Sequence, residues 1–205
     1  MKDAHTIVPN FIVFEGLDGA GTTTQTLLLK ENFLKRSVVC RADCEPTDGF
    51  IGKAIRRVLS GEEVVAPGTL AKLFSADRHE HLYNEQTGVL AACRRGMKVI
   101  SDRYLFSSLA YQSLEFGYDQ VLALNAEYPL PEHLFFLDVP EHICQERLSV
   151  RDEREIFEDT SLQLQIRANY RAAVAAYVQT EMKIHYLDGT LPRDKLGKII
   201  WSLLE

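Results

Sequence analysis

The chain has 205 residues, long enough for one domain with a substantial core and no covalent staples. Its composition, 46% hydrophobic and 25% charged, is that of an ordinary globular protein, and its net charge of −6 argues against a nucleic-acid surface. No apolar stretch approaches membrane-spanning length, so membrane embedding is not expected.

The elements alternate. After a lead-in ending at Pro9, an apolar run predicts a first strand at 11–15, and a helix follows at 22–36. Val38 and Val39 predict a second, short buried strand at 37–41. A turn at 45–49 leads to a helix at 51–59 that Gly61 stops, and Pro67 opens a longer helix running towards Arg95 with a break near Gly88. The third strand, 97–101, delivers Asp102-Arg103-Tyr104 at its end. Helices at 107–116 and 119–126, a strand at 133–137, a helix from Pro140 to Leu148 and a charged stretch at 151–158 come next. A long helix at 160–180, a fifth strand at 183–187 and a final helix at 191–204 complete the chain. Strand cores that are continuous apolar runs, each followed by a helix, predict a three-layer α/β domain with a five-stranded parallel sheet and helices on both faces. There is no internal repeat, low-complexity segment or linker, so a single domain over 1–205 is expected.

Cys40, Cys44, Cys93 and Cys144 have no metal-site spacing, since no second ligand pair follows Cys40 and Cys44. Reduced thiols are expected. The N-terminus lacks the apolar core of a secretory signal, and a cytoplasmic location follows as the expectation.

Gly16-Leu17-Asp18-Gly19-Ala20-Gly21-Thr22-Thr23 joins the first strand to the first helix. In that context backbone N–H groups turn inward and cradle a phosphate at the helix N-terminus. Gly16 and Gly21 hold the two glycine positions of the phosphate-loop pattern, and Thr23 its hydroxyl position, where magnesium would be held. The pattern's lysine is missing: Thr22 stands in its place.

In an open parallel sheet, ligands collect beyond the C-terminal ends of the strands. Glu45 and Asp102-Arg103 fall there too. An acid after such a strand can hold magnesium and an adjacent Arg can grip phosphate, although Asp102 and Arg103 could equally form an internal ion pair. Asp138 also ends a strand, but Pro140 behind it points to capping of the following helix. Arg147, Arg151 and Arg154 share one face if 147–154 is helical. They read either as a solvated, salt-bridged helix or as a lid that brings cations to a loop without its lysine.

These stretches carry a family resemblance. Phe14-Glu15-Gly16-Leu17-Asp18-Gly19-Ala20-Gly21, Glu45-Pro46, Leu73-Phe74-Ser75-Ala76-Asp77-Arg78, Asp102-Arg103-Tyr104 with Ser107-Ser108-Leu109-Ala110-Tyr111-Gln112, and Arg154-Glu155-Ile156-Phe157-Glu158 resemble thymidylate kinases, in the family's order and across most of the chain. The resemblance implies transfer of the γ-phosphoryl of ATP to dTMP, with Mg2+ as cofactor, in a homodimer.

Residue by residue, it implies that Asp18 accepts from the sugar 3′-hydroxyl and that Arg103 clamps the dTMP phosphate. Phe74 matches the ring on which thymine stacks, Arg78 the donor to thymine O4 and Ser108 the position facing N3. Tyr111 matches an aromatic crowding the sugar 2′ position, and Gln112 a residue assisting at the base. Gly16, Gly19, Ala20, Gly21, Thr22, Thr23, Thr24 and Arg147 fall to the ATP phosphates, and Thr23 and Asp102 to the metal. A bare Gly19 resembles the branch whose catalytic arginine comes from the lid, here about 147–158. The lid pattern puts Arg154 first and Arg151 second for that role.

Two departures remove positive charge: Thr22 for the loop lysine, and Cys44 where many bacterial members have Arg before Glu-Pro. Two other readings therefore stay open. One is a deoxynucleoside kinase using Glu15 as a base towards a neutral hydroxyl. The other is a catalytically degenerate nucleotide-binding module.

Overall fold

The computed structural model describes residues 5–149 and 160–205. In chain order the elements are β1 (Ile7–Gly16), α1 (Thr22–Lys35), β2 (Cys40–Cys44), α2 (Phe50–Leu59), α3 (Pro67–Tyr83), α4 (Val89–Arg94) and β3 (Lys98–Asp102). Then follow α5 (Leu105–Tyr111), α6 (Ser113–Phe116), α7 (Tyr118–Asn125), β4 (Leu130–Asp138), α8 (Glu141–Leu148), α9 (Thr160–Ala175), β5 (Lys183–Asp188) and α10 (Arg193–Ser202).

The strands form one parallel sheet in the order β2-β3-β1-β4-β5, with helices around it in a three-layer α/β arrangement. β1 is central. Phe11, Ile12, Val13 and Phe14 are all essentially inaccessible, as expected for a strand covered on both faces. The chain leaves β1 for β2, returns through β3, and only then crosses to β4 on the other side of β1. Strand order thus reverses beside β1, and the crevice created there lies directly above its C-terminal glycines.

Several boundaries differ from the sequence expectation. β1 begins at Ile7 because Ile7 and Val8 pair with Leu130 and Pro131. The left-handed Asn10 then shifts the register, its N–H held by Glu132. The second strand lies at Cys40–Cys44, not 37–41. Ser37 takes φ 58°, and the Val38 N–H returns to the Phe33 carbonyl, so the chain is still reversing out of α1 where the two valines fall. The expected helix at 107–116 starts at Leu105 and is split at Gln112, and the helix expected to reach residue 180 ends at Ala175. Gly88 does separate α3 from α4: a Cβ there would lie 2.4 Å from the Asn84 carbonyl oxygen. Asp138 does not cap α8, which has no side-chain cap; Arg167 and Arg171 from α9 take its two oxygens at 3.1 and 2.6 Å.

Candidate active site

The glycine loop follows β1 and opens α1, as expected. Gly21, at φ 96°, turns the chain into the helix, and its carbonyl accepts from the Gln25 N–H. Gly19 is required twice over. It sits at φ 85°, and a Cβ would lie 2.7 Å from the Cys144 carbonyl oxygen. That contact lays α8 directly on the loop. From there Arg147 donates to the carbonyls of Gly19, Ala20 and Gly189 at 3.2, 3.3 and 3.1 Å. A cavity of about 270 Å³ opens here, lined by Gly19, Ala20, Gly21, Thr24, Arg147 and Arg193 among others. Arg147 therefore lies against the loop, its guanidinium on loop carbonyls. Thr22 is buried, at 4% exposure. Arg151 and Arg154 lie outside the described residues, as does most of the expected lid.

A second cavity, about 320 Å³, gathers Asp18, Thr23, Phe74, Arg78, Asp102, Arg103, Tyr111 and Gln112. The Thr23 hydroxyl donates to Asp102 Oδ2, while Asp102 Oδ1 is buried without a hydrogen-bond partner among the described residues. A hydroxyl and a carboxylate with an unengaged oxygen, both on the cavity wall, fit a hard divalent cation that prefers oxygen ligands.

Arg103 does not pair with its neighbour Asp102. It sits at φ 77°, a left-handed conformation costing a non-glycine residue roughly 1–2 kcal/mol. This turns its guanidinium to Asp18 Oδ1 at 2.5 Å, the Gly16 carbonyl at 3.0 Å and the Tyr170 hydroxyl at 2.8 Å. The other Asp18 oxygen accepts from the Tyr111 hydroxyl at 2.9 Å. The turn is held by Glu15. Its carboxylate, fully buried, accepts from the backbone N–H of Tyr104 and Ser107, the Ser107 hydroxyl and the Tyr170 hydroxyl. Burial pushes the Glu15 carboxyl up to about 7, against the pull of those donors and of Arg103.

Arg78 is 1% exposed, yet lines the cavity. Its Nε and Nη2 lie 2.9 and 2.7 Å from Glu45 Oε2, Nη2 also donates to Ser108 Oγ at 3.1 Å, and Nη1 donates to Asn125 Oδ1. Ser108 thus stands behind Arg78 rather than on the cavity wall. Phe74 and Gln112 are on the wall, and Gln112 Oε1 is buried without a hydrogen-bond partner among the described residues.

Four participants were missed from sequence. Arg56 of α2 lines the cavity, donates to the Pro46 and Thr47 carbonyls and lies 3.7 Å from Cys44 Sγ, so a cation stands close to the site of the Cys44 departure. In sequence it is one charge on an amphipathic helix, with no marker. Asn125 and Tyr170 come from distant helices with no local signal either. His81 was findable, because it follows Arg78 by one helical turn and so shares its face.

A family model described as thymidylate kinase matches residues 14–196. A protein of Treponema pallidum named a thymidylate kinase is 43% identical over 80% of this chain and 78% of its own. Those so named in Methanococcus vannielii and Aeropyrum pernix are 38% and 32% identical, over 78% and 87% of this chain and 75% and 85% of theirs. The chain belongs to the thymidylate kinase family. As a member of that family it is a phosphotransferase acting on dTMP. Among the described residues, no helix is long and apolar enough to cross a membrane.

Proposed function

We propose that this thymidylate kinase family member moves the γ-phosphoryl of ATP to dTMP with its two substrates in the two cavities. ATP phosphates lie over Gly16–Thr24 beside Arg147, and dTMP lies against Asp18, Phe74, Arg78, Arg103 and Tyr111. The observation that supports it most is the second cavity, where one wall combines a phosphate-gripping guanidinium, a carboxylate suited to a sugar hydroxyl and an aromatic ring with a buried Arg beyond. Arg103 clamps the acceptor phosphate bidentately, and Asp18 orients both Arg103 and the sugar. Phe74 stacks on the base, Arg78 and Gln112 face its polar edge, and Ser108 reaches it through Arg78.

No general base is needed, because a phosphate monoester is already ionised near neutral pH; positioning and charge neutralisation carry the rate. Thr23 and Asp102 would hold Mg2+. Held by these two oxygen ligands, such an ion would supply positive charge against the negative charge that develops during phosphoryl transfer. Arg154, or Arg151, supplies from the lid at about 147–158 the cation that Thr22 does not. The same reading takes 1–205 as one domain, working as a homodimer in the cytoplasm.

Glu15 speaks against the deoxynucleoside kinase alternative, since it is buried and engaged by the donors that hold the Arg103 turn. The test is a coupled assay with ATP, magnesium and either dTMP, dUMP or thymidine. dTMP is turned over, dUMP less well and thymidine not at all. Comparable rates on thymidine and dTMP would sink the assignment of Arg103, which would then have no phosphate to hold.

A further inference from the structure

We propose that His81 is a positioning residue for base recognition: an imidazolium clamped between Asp43 and Glu45, it fixes the carboxylate that aims Arg78 into the substrate cavity. The proposal rests on the reading of Arg78 as donor to the carbonyl edge of the base.

Glu45 follows β2, while Arg78 and His81 stand one turn apart on α3. His81 Nδ1 lies 2.9 Å from Glu45 Oε1, and Nε2 lies 3.1 Å from Asp43 Oδ2. An ionised carboxylate only accepts, so a ring nitrogen facing one must carry hydrogen; carboxylates on both sides require the doubly protonated ring. A neutral imidazole would turn a lone pair towards a carboxylate oxygen at about 3 Å in either tautomer. The surrounding charges agree. Burial alone would raise the Glu45 carboxyl, but Arg78 and His81 more than reverse this and hold it below its usual range. Asp43 is also gripped by Arg41, at 2.9 and 2.8 Å. The row Arg41, Asp43, His81, Glu45, Arg78 thus alternates in sign. Two phenols face Arg78, the Tyr104 ring 5.2 Å from its guanidinium carbon and the Tyr128 ring 5.9 Å, the Cys93 thiol faces Arg41 and Asp43, and Glu80 and Asp102 line a cavity with His81.

The consequence falls on Arg78. Glu45 Oε2 takes Nε and Nη2, Ser108 takes Nη2 again, and Asn125 takes Nη1. These contacts leave one Nη1 hydrogen for the cavity. A single directed donor suits a carbonyl oxygen and disfavours an amino group at the same position, so it separates a 4-oxo pyrimidine from a 4-amino one. Its direction holds only while Glu45 stays fixed, and among the described contacts of Glu45 Oε1 it is His81 that holds it.

The test compares His81→Gln, Arg78→Gln and the double variant on dTMP and dCMP. With His81→Gln we expect kcat/KM for dTMP to fall about tenfold, mostly through KM, with the KM for ATP unchanged and the preference for dTMP over dCMP narrowed by a similar factor. The double variant should be no worse than Arg78→Gln alone. If Arg78→Gln leaves the KM for dTMP unchanged, the base-reading role of Arg78 fails and this proposal with it. If Arg78→Gln is impaired while His81→Gln keeps wild-type KM and preference, the positioning role alone falls. Should His81→Gln not fold, histidine 15N NMR of the wild-type protein decides. A doubly protonated His81 ring at pH 7.5 supports the clamp, and a neutral ring at that pH overturns it.

Discussion

Tyr170 meets Glu15 across 155 residues of sequence, its hydroxyl 3.0 Å from Glu15 Oε2, and accepts at 2.8 Å from the Arg103 guanidinium. One phenol therefore ties α9 both to the strand that carries the phosphate loop and to the turn that presents Arg103. α9 begins directly after the segment bearing Arg151 and Arg154, so the helix leading out of that segment is anchored to Glu15 and Arg103. Tyr170→Phe removes a donor from a buried carboxylate and an acceptor from a half-buried guanidinium. The expected cost is about 1–3 kcal/mol of stability by chemical denaturation, with a lower kcat/KM for dTMP. An unchanged unfolding midpoint together with wild-type kinetics would remove this anchor from the account.

Arg103→Ala should lower kcat/KM for dTMP roughly a hundredfold, the loss of a charge-assisted contact that phosphate would make with a pre-aimed guanidinium. Arg103→Lys should recover only part of this, because an ammonium cannot span Asp18, the Gly16 carbonyl and an anion with the same planar fork. Full activity in the Ala variant would refute the clamp.

Gly19→Ala places a methyl 2.7 Å from the Cys144 carbonyl at a backbone angle of φ 85°. Either α8 lifts from the loop or the loop opens, and both displace Arg147. We expect a destabilisation of roughly 1–3 kcal/mol and a raised KM for ATP, with the KM for dTMP less affected. Calorimetry and steady-state kinetics on one preparation are sufficient to check this.

Thr22→Lys restores the ammonium of the phosphate-loop pattern. If lid arginines stand in for it, alanine scanning of Arg147, Arg151 and Arg154 should find one whose loss costs roughly a thousandfold or more in kcat, with Arg154 first in line. A solvated ion pair is worth roughly 0–1 kcal/mol of stability and would leave turnover nearly untouched. Thr22→Lys should then partly rescue the critical variant. Purely additive effects, with all three single variants turning over at the wild-type rate, would instead rule out compensation by the lid arginines.

The His81 clamp has a signature in stability. Burial pulls the imidazole down, but the hydrogen bonds it donates to Asp43 and Glu45 carry it from 6.5 up to about 9. A histidine raised on folding stabilises fully below its unfolded value and loses that contribution as pH rises through the folded one. The wild-type Tm should therefore decline between about pH 6.5 and 9, and His81→Gln should flatten that decline. Glu15, raised from 4.5 to about 7, also lowers stability with rising pH, but over a lower range, so its effect is separable. Parallel Tm curves for the two proteins across the upper window would count against a protonated His81.

The strand–loop–helix at 11–36, the alternation of apolar strands with helices and the short motifs after each strand are local patterns. Their cause lies within a few residues of chain: strand periodicity, glycines where φ is positive, an acid and an arginine at a strand end. The sequence alone therefore determined the α/β architecture, the phosphate loop, the family and many of the residues that line the cavities, but not Arg56, and it put Ser108 on a wall that Ser108 stands behind. Pairing partners are different, because nothing local specifies them. The edge strand β2 took its register from β3, with Cys40 opposite Lys98, instead of from its two valines. Arg103 chose Asp18 over the adjacent Asp102, Asp138 went to Arg167 and Arg171 rather than to its own helix, and Glu45 turned inward to Arg78 and His81. These choices were decided only by the tertiary structure, because a buried charge must find its counter-charge wherever packing brings one within hydrogen-bond reach.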